Sequence, residues 1–196
     1  MGGVNGYMSA FSLVNLGRVL TRGEAKEGQV PTDGPQMCGD IDIRIARDGT
    51  WHYLGSPIGR ESLVKLFASV LNRDEAGDFW LVTPAELCRI KVDDAPFNAV
   101  EMIVSHGKNG QVLNFRSNIG ETVTAGPDHP IRIEIEPETG EPSPYIMIRD
   151  GLEALIVRSV FYDLVEISEE REVNGKTMLG VRSGGVFFKL GDIDDA

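Results

Sequence analysis

A chain of 196 residues with 41% apolar and 25% charged residues has ordinary globular composition and the length for one or two domains, so wholesale disorder is excluded. A formal net charge of −11, with no Lys/Arg cluster to offset it, argues against broad binding to nucleic acid or to an anionic membrane surface. Cys38 and Cys88 stand fifty residues apart without metal-ligand spacing, which predicts a reducing, cytoplasmic setting with no disulfide framework and no metal site.

Residues 1–36 are glycine-rich and close on Pro31, Gly34 and Pro35. They read as a tail and linker, with a short helix around Ser9 to Leu20. They lack the basic start and continuous apolar run of a secretory signal, and later apolar runs such as Leu152 to Val157 are too short to span a bilayer. From Gly39 the pattern becomes regular. Ile41, Ile43 and Ile45 alternate with Asp42 and Arg44 at the period of a half-buried strand. Arg47-Asp48-Gly49 turns the chain into a second strand, Thr50 to Leu54. Ser56 and Pro57 read as a helix start, and Leu63, Leu66, Phe67, Val70 and Leu71 share one helical face. Phe79 to Val82, Leu87 to Val92 and Phe97 to Val104 are strand-like. Asn109-Gly110 makes a hairpin to Val112 to Phe115. Ile131, Ile133 and Ile135 alternate again, followed by Tyr145 to Ile148. Val157, Val160, Phe161, Leu164 and Val165 predict a second helix despite their β-branched content. Asn174-Gly175 and Ser183-Gly184-Gly185 are turns, and Val186 to Leu190 is the last strand.

An offset of 98 residues aligns the chain on itself. It pairs Ile58 with Ile156, Arg60 with Arg158, Leu66 with Leu164, and continues to Asp94 with Asp192. Eight identities fall in the 37 positions 58–94, where ordinary composition yields roughly two or three. A shift of four residues also pairs Arg47-Asp48-Gly49 with Arg149-Asp150-Gly151. The expectation is an α+β protein of two structurally similar subdomains, each an antiparallel sheet with a helix: residues 37–105 as a first repeat, and 106–196 as connecting strands and a second.

The run from Cys38 to Trp51 resembles the opening of a bacterial family known as domain of unknown function 1285. Gly55-Ser56-Pro57-Ile58-Gly59-Arg60, Val92-Asp93-Asp94-Ala95-Pro96-Phe97, Gly126-Pro127-Asp128-His129-Pro130 and Gly151-Leu152-Glu153-Ala154-Leu155-Ile156 are similar to further motifs, in the family's order, from about Pro35 to Asp192. The resemblance implies a duplicated α+β core whose C-terminal half is superficially pleckstrin-homology-like. It also implies a nucleotide-like ligand at the interdomain surface and a part in signalling, with no established activity.

Several constellations can carry chemistry. Asp93-Asp94 at a strand end can offer hard oxygen ligands to a cation, but adjacent strand residues face opposite ways and an Asp before a Pro-containing turn more often caps it. Asp128-His129 sits between two prolines and reads as a ligand contact or as a rigid loop. Arg60 and Arg158 hold the same repeat position just before each helix, where a guanidinium and a helix start both favour an anion; a structural ion pair is the alternative. Tyr145 is the aromatic near Arg158 that can stack on a base, and Trp51 fits core packing better. The sequence contains no phosphate-binding loop, no nucleophile elbow and no dinucleotide fingerprint. No catalytic residue and no cofactor is therefore expected. The favoured reading is a module binding a nucleotide-like or other anionic small molecule at the seam between repeats, through Arg60, Arg158, Asp94, Asp128, His129 and Tyr145. A protein–protein adaptor is the alternative, and an enzyme is third.

Overall fold

The computed structural model describes residues 34–173 and 175–193. The helix expected around Ser9 to Leu20, and Asn174 of the expected Asn174-Gly175 turn, lie outside them. The described chain is mostly sheet with two helices. It divides into two compact units, one of residues up to 44 together with 51–91, the other of 45–50 together with 92 onward.

The first unit is built on a six-stranded sheet of order β3-β2-β1-β6-β5-β4. Its strands are β1 (Gln36–Ile45), β2 (Trp51–Tyr53), β3 (Ser56–Pro57), β4 (Leu71–Arg73), β5 (Phe79–Val82) and β6 (Glu86–Val92). The sequence pattern places a helix start at Ser56-Pro57, and the structure corrects it. Leu54 and Gly55 both take positive φ, 48° and 76°, closing a two-residue hairpin in which Tyr53 pairs with Ser56 and His52 with Pro57. The helix, α1 (Glu61–Ser69), starts only after Arg60 and buries Leu63, Phe67 and Ala68. Leu71, which shares the helical spacing, instead opens β4. There the ladder to β5 is closed by Asp74, which accepts hydrogen bonds from the Asp78 amide and from Trp80 Nε1, both at 2.8 Å. Trp51 packs on Phe67 with ring centroids 6.0 Å apart, and Ile43, Leu63, Leu81, Cys88 and Ile90 are also buried in this unit.

The second unit contains β7 (Phe97–Gly107), β8 (Gly110–Ser117), β9 (Thr122–Thr124), β10 (Ile131–Ile135), β11 (Pro142–Arg149) and β12 (Leu152–Ile156), in the order β10-β11-β12-β7-β8-β9. Helix α2 (Arg158–Glu166) follows, then a three-stranded antiparallel sheet of β13 (Glu169–Val173), β14 (Lys176–Ser183) and β15 (Val186–Asp192). β12 runs parallel to β7, pairing Ala154 with Phe97 and Ile156 with Ala99. The amide of Val157 then donates to Ala99 O at 3.1 Å, which fixes where α2 begins. Phe97, Leu113, Phe115, Ile146, Leu152, Ile156, Leu164 and Val181 are buried.

Ser183, fully buried at the end of β14, ties the small sheet to the large one. Its hydroxyl donates to Ala125 O at 2.7 Å and accepts from the Leu113 amide at 3.0 Å. Removing it leaves two buried backbone groups unpaired, and each orphan costs about 1–3 kcal/mol. Ser183→Ala is expected to lower unfolding stability by about 2–4 kcal/mol, measured by urea denaturation, whereas Ser105→Ala, at an exposed hydrogen bond, is expected to change it by less than about 0.5 kcal/mol.

Candidate functional site

The site grows from the Arg47-Asp48-Gly49 turn, which belongs to the second unit. The turn is closed locally by Gly49 N to Ala46 O, Ala46 N to Thr50 O and Thr50 N to Asp48 Oδ1, each at 2.9 Å. Two asparagines then clamp it. Asn98 Nδ2 donates to Arg47 O at 3.2 Å, Asn118 Nδ2 donates to Gly49 O at 3.4 Å, and the Asn98 amide donates to Asn118 Oδ1 at 3.1 Å. Gly49 is required twice over. Its φ is +83°, and a Cβ there would lie 2.6 Å from Asn118 Nδ2.

The clamped turn presents Arg47 to Ser143 Oγ at 3.0 Å and to Asp94 Oδ2 at 3.2 Å. Asp94, only 16% exposed at its side chain, also accepts the Tyr145 hydroxyl at 2.7 Å. Arg132 lies over the Tyr145 ring, 4.2 Å from its centroid, and forks onto Glu153 with two contacts of 2.7 Å and onto Glu134 at 2.9 Å. Burial, and then the Asp94 carboxylate, push the Tyr145 hydroxyl up to about 12.

Beside this network is a cleft of about 510 Å³, lined by Arg47, by Glu141 and the β11 start Pro142 to Pro144, by Leu155 to Val157, and by Arg158, Phe161 and Tyr162 of α2. Val157 gives α2 no side-chain cap, and the first turn holds no acidic residue. The amides of Arg158, Ser159 and Val160 precede the first helical bond, from Phe161 N to Val157 O. Arg158 is exposed and has no ion pair or hydrogen bond to a described residue. Such a helix start carries partial positive charge and free donors. The cleft therefore offers one uncompensated cation, one half-neutralised cation, a hydroxyl and an exposed aromatic ring, with Glu141 as its acidic member.

The family's C-terminal domain, described as a protein of unknown function, matches residues 96–190, and its N-terminal domain, described as a domain of unknown function, matches residues 30–95. The chain belongs to the DUF1285 family. A DUF1285 protein from Silicibacter pomeroyi DSS-3 is 43% identical, with a TM-score of 0.77 over 95% of this chain and 98% of that one. A DUF1285 protein from Shewanella baltica OS155 is 27% identical, with a TM-score of 0.51 over 64% of this chain and 91% of that one. None of the curated proteins matches the chain.

In this DUF1285 protein Asp94, Tyr145 and Arg158 fall in or beside one region, as a bonded pair and a cleft wall. Asp94 is engaged by Arg47 and Tyr145, and the Tyr145 ring by Arg132. Asp128 is exposed in the loop before β10, and the ring of His129 bonds Met147 O at 3.0 Å; neither lines the cleft. Arg60 stands exposed before α1 in the first unit and does not line it either. Sequence reasoning missed Arg47, Ser143 and Tyr162. Arg47 was visible as the first residue of a turn whose shape demands Gly49. Tyr162 carried no signal beyond its place on α2.

Tyr145 yields a pH test. A hydroxyl whose value is raised in the folded chain stabilises it fully below the unfolded value of about 10, and that stability is lost as pH rises toward about 12. Wild type is expected to lose stability relative to Tyr145→Phe across that window, measured by urea unfolding. Parallel curves would show that Tyr145 does not titrate with the fold.

Proposed function

We propose that this DUF1285 protein binds a small anionic ligand of the nucleotide-like class in the cleft of its second unit, in the cytoplasm, and serves as a sensor in signalling rather than as an enzyme. The observation that carries the reading is Arg158. In a chain with 30 acidic and 19 basic residues, an arginine with no counter-ion among the described residues stands at an uncapped helix start that walls a cleft. Guanidinium forks and helix N-termini both favour phosphate or carboxylate. Tyr162, 58% exposed on the same wall, offers a ring for a base, which Tyr145 under Arg132 does not.

The duplication is part of the proposal. In each unit a nine-residue helix is followed by three successive antiparallel strands, β4-β5-β6 and β13-β14-β15. The paired Arg-Asp-Gly turns both set glycine at positive φ, Gly49 at 83° and Gly151 at 78°. These likenesses support a common ancestral unit, with a superficially pleckstrin-like second half, and make Arg60 the counterpart of Arg158.

An adaptor role has one observation in its favour. β7 pairs with β12 only over Phe97 to Ala99, and beyond that its ladder runs to β8. Ile103 and Val104 on that stretch are 53% and 40% exposed, as a strand-adding peptide partner requires.

Calorimetric titration of the full chain with inorganic phosphate and nucleoside monophosphates tests the ligand reading. Binding is expected, and Arg158→Ala is expected to weaken it about 10- to 100-fold, the value of a charge-assisted hydrogen bond. No heat and no rise in melting temperature with any of these anions, or full affinity in folded Arg158→Ala, would overturn the reading.

A further inference from the structure

We propose that Cys38, Glu86 and Cys88 form a binding site for a thiophilic divalent cation of the zinc class in the first unit, separate from the cleft. β1 and β6 are neighbours in the sheet. Glu86 and Cys88 are two residues apart on β6, so both side chains leave the same face. Strict alternation along β1 from the buried Ile45 and Ile43 would send Cys38 to the other side. Gly39, at φ +73° inside the strand, breaks that alternation as a bulge glycine does. Cys38 Sγ thus joins the others, and one ligand atom from each of the three residues lies within 4.8 Å of the rest.

The chemistry of the set selects the ion. Two sulfurs and one carboxylate oxygen suit zinc and other soft or borderline cations, whereas magnesium and calcium take oxygen ligands alone. Tetrahedral zinc with Zn–S bonds of about 2.3 Å holds its sulfurs about 3.8 Å apart, so small side-chain rotations close the site. Three protein ligands leave a fourth position for water. Cys88 is buried while Cys38 and Glu86 are half-buried, so the ion enters from their side. Both of the chain's cysteines are in this cluster. A carboxylate beside them has a part in a cation site and none in a disulfide. The fifty-residue separation that argued against a metal site concealed this, because the sheet rather than the spacing brings the thiols together.

The test uses the full chain, reduced with a phosphine and stripped of metal. Titration with cobalt(II) is expected to produce thiolate charge-transfer absorption, displaced by about one equivalent of zinc. Zinc, and not magnesium, is expected to raise the melting temperature. Cys38→Ser, at a half-exposed position, is expected to lower zinc affinity more than about a hundredfold, and Glu86→Gln at least about tenfold, since even outer-shell partners of metal ligands are worth about 10- to 100-fold. Absence of the charge-transfer absorption in reduced wild type, or zinc affinity unchanged in Cys38→Ser, would overturn the site. Affinity unchanged in Glu86→Gln would overturn the three-ligand assignment.

Discussion

The Asn98–Asn118 clamp on the Arg47-Asp48-Gly49 turn is the contact on which the rest of the second unit's site depends. Two side-chain amides donate to the turn carbonyls of Arg47 and Gly49, and one of them is held in turn by a backbone amide. Asn98 is 5% exposed, so bonds lost there would not be replaced by water. The clamp has no room for a side chain at Gly49. It therefore fixes the path of the turn, and the path of the turn delivers Arg47 to Asp94 and Ser143.

From Arg47 the charges run in a connected line: Arg47 to Asp94, Asp94 to Tyr145, and Tyr145 under Arg132 with its two glutamates. Each cation there meets at least one carboxylate, which is the expected state of arginine in a chain with a large acidic excess. Arg158 departs from that pattern. Its position is set by the parallel pairing of β12 on β7, which carries the chain to Val157 and starts α2 at the cleft wall. Arg60, Arg73 and Arg171 also have no carboxylate partner among the described residues, so it is the place of Arg158 on a cleft wall at an uncapped helix start that singles out this cleft. The Arg47–Asp94 pair is partly exposed and is worth little by itself. Its importance is positional.

Much of this was legible in the sequence, for reasons that differ by element. Alternating isoleucines located β1 and β10; in β1 Ile43 and Ile45 meet the core, whereas in β10 only Ile131 is buried and Ile135 is exposed. Ser183-Gly184-Gly185 was legible as a turn, because both glycines take positive φ between paired Ser183 and Val186. β13, reading Glu169 to Val173, was not, since it carries no apolar alternation and is a strand because β14 pairs with it. The Ser56-Pro57 helix start failed because Leu54, a residue with no preference for positive φ, is forced into it by the hairpin. Matched arginines at the two helix starts were readable from the 98-residue offset, although Arg158 is the first residue of α2 and only Arg60 precedes its helix. Their surroundings were not, because the cleft is assembled from the 45–50 turn, β11 and α2, which meet only through the fold.

A double-mutant cycle pairing Asn118→Ala with Arg47→Met, followed by urea unfolding of the full chain, tests the central dependence most directly. If the clamp positions Arg47, the two changes share their effect and couple by about 0.5–1 kcal/mol, up to the worth of the partly exposed arginine's contacts, since releasing the turn already frees the arginine. Additivity within about 0.3 kcal/mol would show that Arg47 is held independently of the asparagines, and would contradict the account.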